Sequence, residues 1–217
     1  MYKPAKGSMM KVLIPEEIAA AVGMLLPSLV CANYLIASNT KVATTIMAMG
    51  CGIHCPFSVC LHMHRAFSAD VVTRTRFFKL DASFIHIHSL LSGYAWSMRP
   101  QYIELLYHTA CIFHIILSDP LNKPKTKNTI DILCGIGVVK SSFGLAFRSL
   151  MLYGAAIVQW VILFTIHKKK LAGAHSAWIM HVMLTGPQLC LLHGIEAYDP
   201  GWNFFWEYSS TLFYTII

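Results

Sequence analysis

Long apolar runs, separated by short polar or basic segments, make up most of the chain. A bilayer-spanning helix needs roughly 20 predominantly apolar residues, and the pattern supplies seven such runs. They are Val12–Ala37, Val42–Phe67, Leu80–Ser97, Tyr102–Leu117, Ile130–Phe147, Leu150–Ile166 and Ala174–Ile195. Arg148 is the only charged residue that separates the fifth run from the sixth. The alternative is that these two runs form one continuous segment. The pattern predicts an all-α, polytopic membrane bundle of seven transmembrane helices, formed by residues 1–198.

The overall composition excludes several other classes of protein. Of the 217 residues, 56% are hydrophobic and only 12% are charged, and the mean hydropathy is +0.55. Soluble domains carry about a quarter charged residues. We therefore exclude a conventional soluble enzyme, a disordered chain and a secreted disulfide scaffold. The seven cysteines lie in apolar runs, where we expect buried thiols and no disulfides.

The distribution of basic residues predicts how the helices are oriented. With seven spans and the amino terminus inside, thirteen Lys and Arg residues lie in inside segments, and three, Lys41, Arg99 and Arg148, lie outside. Such a bias is typical of cytoplasmic or matrix-side loops. We expect the carboxyl terminus outside. Because the net charge of +7 is divided into short clusters between apolar runs, it does not indicate nucleic-acid binding.

Several polar side chains share one depth near the inside end of the predicted bundle. His62 ends the second span, Asp81 starts the third, and His175 and His181 start the seventh. Ser58 lies one helical turn before His62, on the same face. Ionisable groups in hydrocarbon are costly and are candidates for function. Imidazoles, a carboxylate and a serine together indicate a metal site.

Three of these segments resemble motifs of the CREST superfamily, which includes alkaline ceramidases and progestin and adiponectin receptors. Ser58–His62 is similar to its SxxxH motif, Phe78–Ser83 to its third-helix Asp segment, and His175–His181 to its seventh-helix histidine motif. Glu16 and Glu17 stand where that family has a first-helix Glu. The resemblance implies seven helices and a zinc-dependent hydrolase of lipid amides, with His62, His181 and His175 as metal ligands. It also implies catalytic roles for Ser58 and Asp81.

The histidine spacing in the seventh span departs from that family's pattern of two histidines four residues apart. His175 and His181 are six residues apart, so on a regular helix they point about 120° apart and lie about 9 Å apart along the axis. Ala177 occupies the position four before His181. We therefore expect a degenerate metal site without a cofactor, in an accessory subunit of a larger membrane complex. The alternative is the zinc-dependent hydrolase.

Further histidines within the spans leave a third function open. They are His54, His86, His88, His108 and His114. Two facing imidazoles can hold a b-type haem, and a haem- or quinone-associated membrane anchor is the corresponding hypothesis. Histidines that hydrogen-bond between packed helices are the commoner outcome. Lys140, inside the fifth span, is expected to pair with an acid or to extend towards the membrane surface.

The chain also offers surfaces for lipids and protein partners. The segment 199–217 is rich in Trp, Phe and Tyr, which is typical of an interfacial tail and here predicts contact with other membrane subunits. The basic loops around Lys125 and Lys169 predict contact with anionic lipid. The first apolar run lacks a secretory cleavage signature, and the chain is basic. We expect the mitochondrial inner membrane, with endoplasmic reticulum or Golgi as the alternative, and respiratory complexes or ATP synthase as candidate assemblies.

Overall fold

The computed structural model describes residues 8–37, 41–98, 101–120 and 123–198, and every regular element in these ranges is helical. The helices are α1 (Ser8–Gly23), α2 (Leu25–Ala37), α3 (Val42–Ile53), α4 (Cys55–Phe67), α5 (Val71–Ser97), α6 (Tyr102–Leu117), α7 (Pro124–Ser141), α8 (Phe143–Arg148), α9 (Leu150–Lys169), α10 (Ser176–Met183) and α11 (Thr185–Tyr198). A short 3-10 helix, Gly173–His175, precedes α10. The predicted all-α class is confirmed. The aromatic tail, 199–217, lies outside the described residues.

Within the described residues, four helical segments are long and apolar enough to cross a membrane. They are Ile14–Ala37, Val42–Phe67, Lys125–Phe147 and Leu150–Lys169. The chain is therefore an integral membrane protein. Helix α6 has the bounds that the sequence predicts and is a shorter apolar helix. The count of seven spans and the orientation of the termini stay predictions.

Three predicted spans are each divided into two helices by a proline. Helices α1, α3 and α10 end three or four residues before Pro27, Pro56 and Pro187, respectively. A proline ring clashes with the carbonyl four residues earlier and donates no hydrogen bond, so a helix breaks one turn before it. The apolar pattern continues through each break, which is why the sequence predicts single uninterrupted spans there.

Side chains compensate the backbone at these breaks. The carbonyl of Met24, between α1 and α2, accepts hydrogen bonds from Ser28 Oγ and Cys55 Sγ, both at 3.1 Å. Cys55 is the first residue of α4, so the break in the first span docks against the break in the second. All seven cysteines are free thiols; five are buried, Cys190 is half-buried, and Cys60 is exposed, so the expectation of buried thiols is wrong for Cys60.

The fifth and sixth predicted spans are separate helices. Ser149 ends α8, and its side chain accepts a hydrogen bond from the backbone N–H of Leu152 at 3.2 Å, which caps α9. A second interruption divides α7 from α8, where the hydroxyl groups of Ser141 and Ser142 both donate to the carbonyl of Val138. Such back-bonding to the preceding turn bends helices.

Helix α5 is the central element of the bundle and packs against α3, α4, α6, α7 and α8. It starts at Val71, nine residues before the predicted start at Leu80. Asp70 causes the early start, because its carboxylate accepts hydrogen bonds from the backbone N–H groups of Val72 and Thr73 at 2.9 and 3.2 Å. The buried face of α5 is rich in Ala, Ser and Gly, which lets neighbouring helices approach closely.

Candidate functional site

Two histidines and a glutamate from three helices form a buried cluster. His62 Nδ1 of α4 donates to Glu17 Oε2 of α1 at 2.5 Å. The rings of His62 and His181 of α10 pack edge to face, with centroids 4.6 Å apart. Both histidines are only 5% exposed. We call Glu17, His62 and His181 the His62 cluster.

Close helix packing brings the His62 cluster together. Helix α1 packs against both α4 and α10. Gly23, the last residue of α1, permits this approach, since a Cβ atom there would lie 3.2 Å from Val182 Cγ2 and 3.3 Å from His181 Cβ. Glu17 lies nearly two turns before Gly23, beside His62. A larger residue at position 23 would push α10 away and separate His181 from His62.

The predicted catalytic residues lie close to this cluster but have their own surroundings. Ser58 is 1% exposed and lies one turn from His62 on α4. Asp81 Oδ1 is 2.8 Å from His54 Nε2, and both side chains are mostly buried. The sequence missed this pair, because His54 lies at the break between α3 and α4, where helical periodicity gives no direction. Asp81, His62 and His181 all line one cavity.

His175 lies apart from the His62 cluster. Its side chain is 60% exposed, and its Nδ1 lies 3.0 Å from the carboxylate of Glu16. Consecutive helical residues point about 100° apart, so the adjacent acids Glu16 and Glu17 serve different histidines. The structure therefore brings together two of the three predicted metal ligands, His62 and His181.

A large cavity extends from the His62 cluster between α4, α5, α7, α8, α9 and α10. Its volume is about 1210 Å³. Most of its wall is apolar, with side chains such as Phe78, Ile85 and Trp160. Lys127 and Lys140 of α7 line it at positions thirteen residues apart, so it extends for about 20 Å at ~1.5 Å per residue. This length is about two thirds of the hydrocarbon thickness of a bilayer, which is ~30 Å.

Three helices line the cavity with apolar side chains that are also largely exposed. Ile132 of α7, Phe147 of α8 and Val161 of α9 line it, and 60%, 65% and 60% of these side chains are exposed. At these positions, apolar residues therefore separate the surface of the bundle from the cavity.

A second buried polar cluster lies towards the other end of the cavity. His86 Nδ1 of α5 is 3.0 Å from His108 Nδ1 of α6. Lys140 Nζ pairs with Glu104 Oε1 at 3.0 Å, which confirms that this lysine pairs with an acid. Gly137 permits the contact between α6 and α7, since a Cβ atom there would lie 2.9 Å from His108 Cε1. Here the histidines join packed helices, and His86 and His108 are in direct contact, with no room for a haem between them.

The residues that the resemblance implies for zinc do not form a three-ligand site as the structure arranges them. Among the described residues, no group of three or more His, Cys, Asp or Glu side chains could hold a metal ion. His62 Nδ1 is bonded to Glu17, Asp81 faces His54, and His175 faces Glu16. Structural and catalytic zinc sites use at least three protein ligands. In the described part of the chain, these side chains therefore do not meet at one point as three ligands.

Comparison with known proteins assigns no family to the chain. No protein-family model, curated protein or solved structure matches it. The CREST resemblance stays a prediction from the three motifs.

Proposed function

We propose that this integral membrane protein binds the hydrocarbon chain of a lipid in its lateral cavity, and that it does so as a non-catalytic accessory subunit of a larger membrane complex. The observation that carries the proposal is the cavity of about 1210 Å³, whose wall is mostly apolar, includes exposed side chains of α7, α8 and α9, and also holds buried polar groups. We propose that it opens to the bilayer between these helices. Pockets of this kind, mostly apolar with a few convergent polar groups, are typical ligand sites.

The energetics of the cavity indicate where selectivity for a lipid arises. A hydrocarbon chain that moves from the bilayer into an apolar cavity exchanges one apolar environment for another, so it gains little from the hydrophobic effect. Polar contacts must therefore select the lipid. The groups available are the His62 cluster with Asp81, the basic residues Arg65, Lys127 and Lys168, and the pair Glu104–Lys140.

The internal pairing of the acids supports a non-catalytic role. Each of Glu17, Asp81 and Glu16 already faces a histidine. A catalytic base must reach a water or a substrate proton, and these carboxylates instead connect helices α1, α4, α5 and the start of α10. The contacts are those of a scaffold that retains the residues of a hydrolase but uses them to hold the bundle together.

The exposed outer surface of α9 supports the proposal that the chain is a subunit of a larger assembly. Only 17% of its membrane-spanning window is buried, and Met151, Val158 and Ile162 are exposed. We propose the mitochondrial inner membrane as the location, with seven spans and the amino terminus on the positive side. Native electrophoresis after extraction in mild detergent tests this. We expect the chain in one high-mass complex of mitochondria; a monomer, or location in the endoplasmic reticulum or Golgi, would contradict it.

The second candidate function is an intramembrane hydrolase of lipid amides. It is favoured by the convergence of His62, Asp81 and His181 on the cavity, where a lipid carbonyl could lie beside them. In that case Ser58 and Asp81 would be the catalytic residues. Ceramide is the natural probe for this activity.

Metal analysis of the purified full-length chain, with a ceramide hydrolysis assay and an absorption spectrum, separates the candidates. We expect no stoichiometric zinc, no hydrolysis and no haem band. The His62→Ala variant removes a residue of the cluster, and His175→Ala is the matched control that removes an exposed imidazole. One outcome would establish the hydrolase and refute the accessory role. The parent chain would contain stoichiometric zinc and hydrolyse ceramide, His62→Ala would abolish both properties, and His175→Ala would keep both.

A further inference from the structure

Basic side chains from three helices converge on one end of the cavity. Arg65 of α4, Lys127 of α7 and Lys168 of α9 all line it. Asp131 Oδ2 lies 2.9 Å from Lys127 Nζ and also pairs with Lys168. The two lysines, on different helices, thus share one carboxylate oxygen. We call Lys127, Lys168 and Arg65 the basic end of the cavity.

The basic end carries more positive than negative charge. Asp131 is the partner of both lysines, and Arg65 lies 3.9 Å from Glu17, whose shorter contact is with His62. One carboxylate for two lysines leaves an excess of positive charge beside an apolar wall. Unpaired charge at the edge of hydrocarbon is costly, so an anion that enters here is stabilised.

An apolar surface begins directly beside these charges. Ile132 follows Asp131 on α7, and Phe164 lies one turn before Lys168 on α9. Both line the cavity, and 60% and 36% of their side chains are exposed. A ligand at this place therefore meets cations at one end and hydrocarbon along the rest of its length, which is the pattern of an amphiphile with an anionic head.

We propose that the cavity selects a phospholipid with a net negative headgroup, whose phosphate binds Lys127 and Lys168 while one acyl chain lies along α7 and α9. The proposal rests on the lipid-binding function above and names the class of lipid. The two ammonium groups already converge on a single oxyanion, Asp131 Oδ2, so a phosphate oxygen can take the same position. A zwitterionic headgroup brings its own cation into this positive region and binds less well.

Competition between two phospholipids tests the proposal. The full-length chain is equilibrated with vesicles of equal parts phosphatidylglycerol and phosphatidylcholine, and native mass spectrometry measures which lipid it carries. We expect phosphatidylglycerol to be preferred. The double variant Lys127→Gln with Lys168→Gln should lower this preference about twenty-five-fold, since each lysine near a lipid surface contributes about a fivefold change in affinity. The matched control is Lys41→Gln with Arg76→Gln, which removes two exposed cations outside the cavity lining and outside the two basic loops, and it should retain the preference.

Asp131→Asn provides an effect of opposite sign. It removes the carboxylate that competes with the phosphate, so the preference for phosphatidylglycerol should rise. The Asp131→Asn variant also controls for unfolding. A damaged fold would lower the binding of both phosphatidylglycerol and phosphatidylcholine, whereas the proposal predicts a rise for phosphatidylglycerol alone. A fall in preference after Asp131→Asn would overturn the proposal.

The outcomes also separate this proposal from the lipid-binding function itself. If the chain carries phosphatidylglycerol and phosphatidylcholine equally, the proposed selectivity is wrong and lipid binding stands. If it carries neither, lipid binding is wrong. Inorganic phosphate forms a further arm: we expect it not to displace the bound lipid, and displacement by phosphate alone would show an anion site without an acyl chain and overturn the proposal.

Discussion

The adjacent residues Glu16 and Glu17 allow the importance of the His62 cluster to be measured with a matched pair of substitutions. Glu17 bonds to His62, which is 5% exposed, at 2.5 Å, whereas Glu16 faces His175, whose side chain is 60% exposed. Substitution by Gln preserves size and removes the charge. We therefore expect Glu17→Gln to destabilise the fold and Glu16→Gln to have little effect.

The expected magnitudes follow from burial. Hydrogen bonds to charged groups contribute about 1.5–3 kcal/mol, and a neutral bond about half as much, so Glu17→Gln should cost about 0.8–1.5 kcal/mol. At roughly 2–4 °C per kcal/mol for a chain of this size, Tm should fall by about 2–6 °C. Glu16 is only 16% exposed, but the imidazole of its partner His175 is 60% exposed, so solvent screens their contact. Such a pair contributes about 0–1 kcal/mol, and Glu16→Gln should shift Tm by about 4 °C or less.

Thermal unfolding of the detergent-solubilised chain, followed by circular dichroism, measures both variants under identical conditions. A double variant, Glu17→Gln with His62→Gln, completes a mutant cycle and isolates the interaction between these two side chains. Equal stability of Glu17→Gln and the parent chain would refute the reasoning. Equal losses for Glu16→Gln and Glu17→Gln would refute it as well, because burial would then not decide the contribution.

Other perturbations test the packing and the helix caps. Gly137→Ala should destabilise the bundle by about 1–3 kcal/mol, because the new Cβ would lie 2.9 Å from His108 Cε1, whereas Gly135→Ala, with no atom within 4 Å of its Cβ, should be neutral or stabilising in the same unfolding assay. Asp70→Ala should speed hydrogen exchange at the start of α5, and Asp70→Asn should retain much of the protection, since Asn also caps helices. Hydrogen bonds from the Thr73 hydroxyl and from the first backbone N–H groups of α5 hold the pKa of Asp70 below its usual range. The stabilisation by the Asp70 cap is therefore fully present above the unfolded-state pKa of ~3.9 and is lost as the pH falls through the lower folded-state pKa. Loss of protection from hydrogen exchange at the start of α5 should therefore appear only in strong acid.

The apolar pattern predicts the helical class of the chain better than the bounds and internal structure of its helices. Helix α6 has its predicted bounds because polar residues flank it on both sides. The breaks at Met24, His54 and Leu184 lie inside continuous apolar runs and come from prolines, whose effect on direction depends on neighbouring helices. Helix α5 starts earlier than the apolar pattern predicts. Its first turns are basic, and the Asp70 cap stabilises them as helix.

The sequence predicts only in part which side chains contact each other in the site. The sequence predicts a common depth for His62, Asp81 and His181, and these residues do line one cavity, although Asp81 lies well inside α5 and not at its start. Which acid faces which histidine depends on helix rotation and on small residues such as Gly23, which set the distances between helices. Sequence spacing alone does not contain that information. The cavity itself is a gap between helices that are distant in sequence.

An experimental density map of the chain in a phospholipid nanodisc, with a bound antibody fragment to aid alignment, tests the central claim most directly. The account predicts elongated density between α7 and α9, ending at Lys127 and Lys168, and no metal peak between His62 and His181. A closed α7–α9 interface without lipid density, or a metal peak at the His62 cluster, would contradict it.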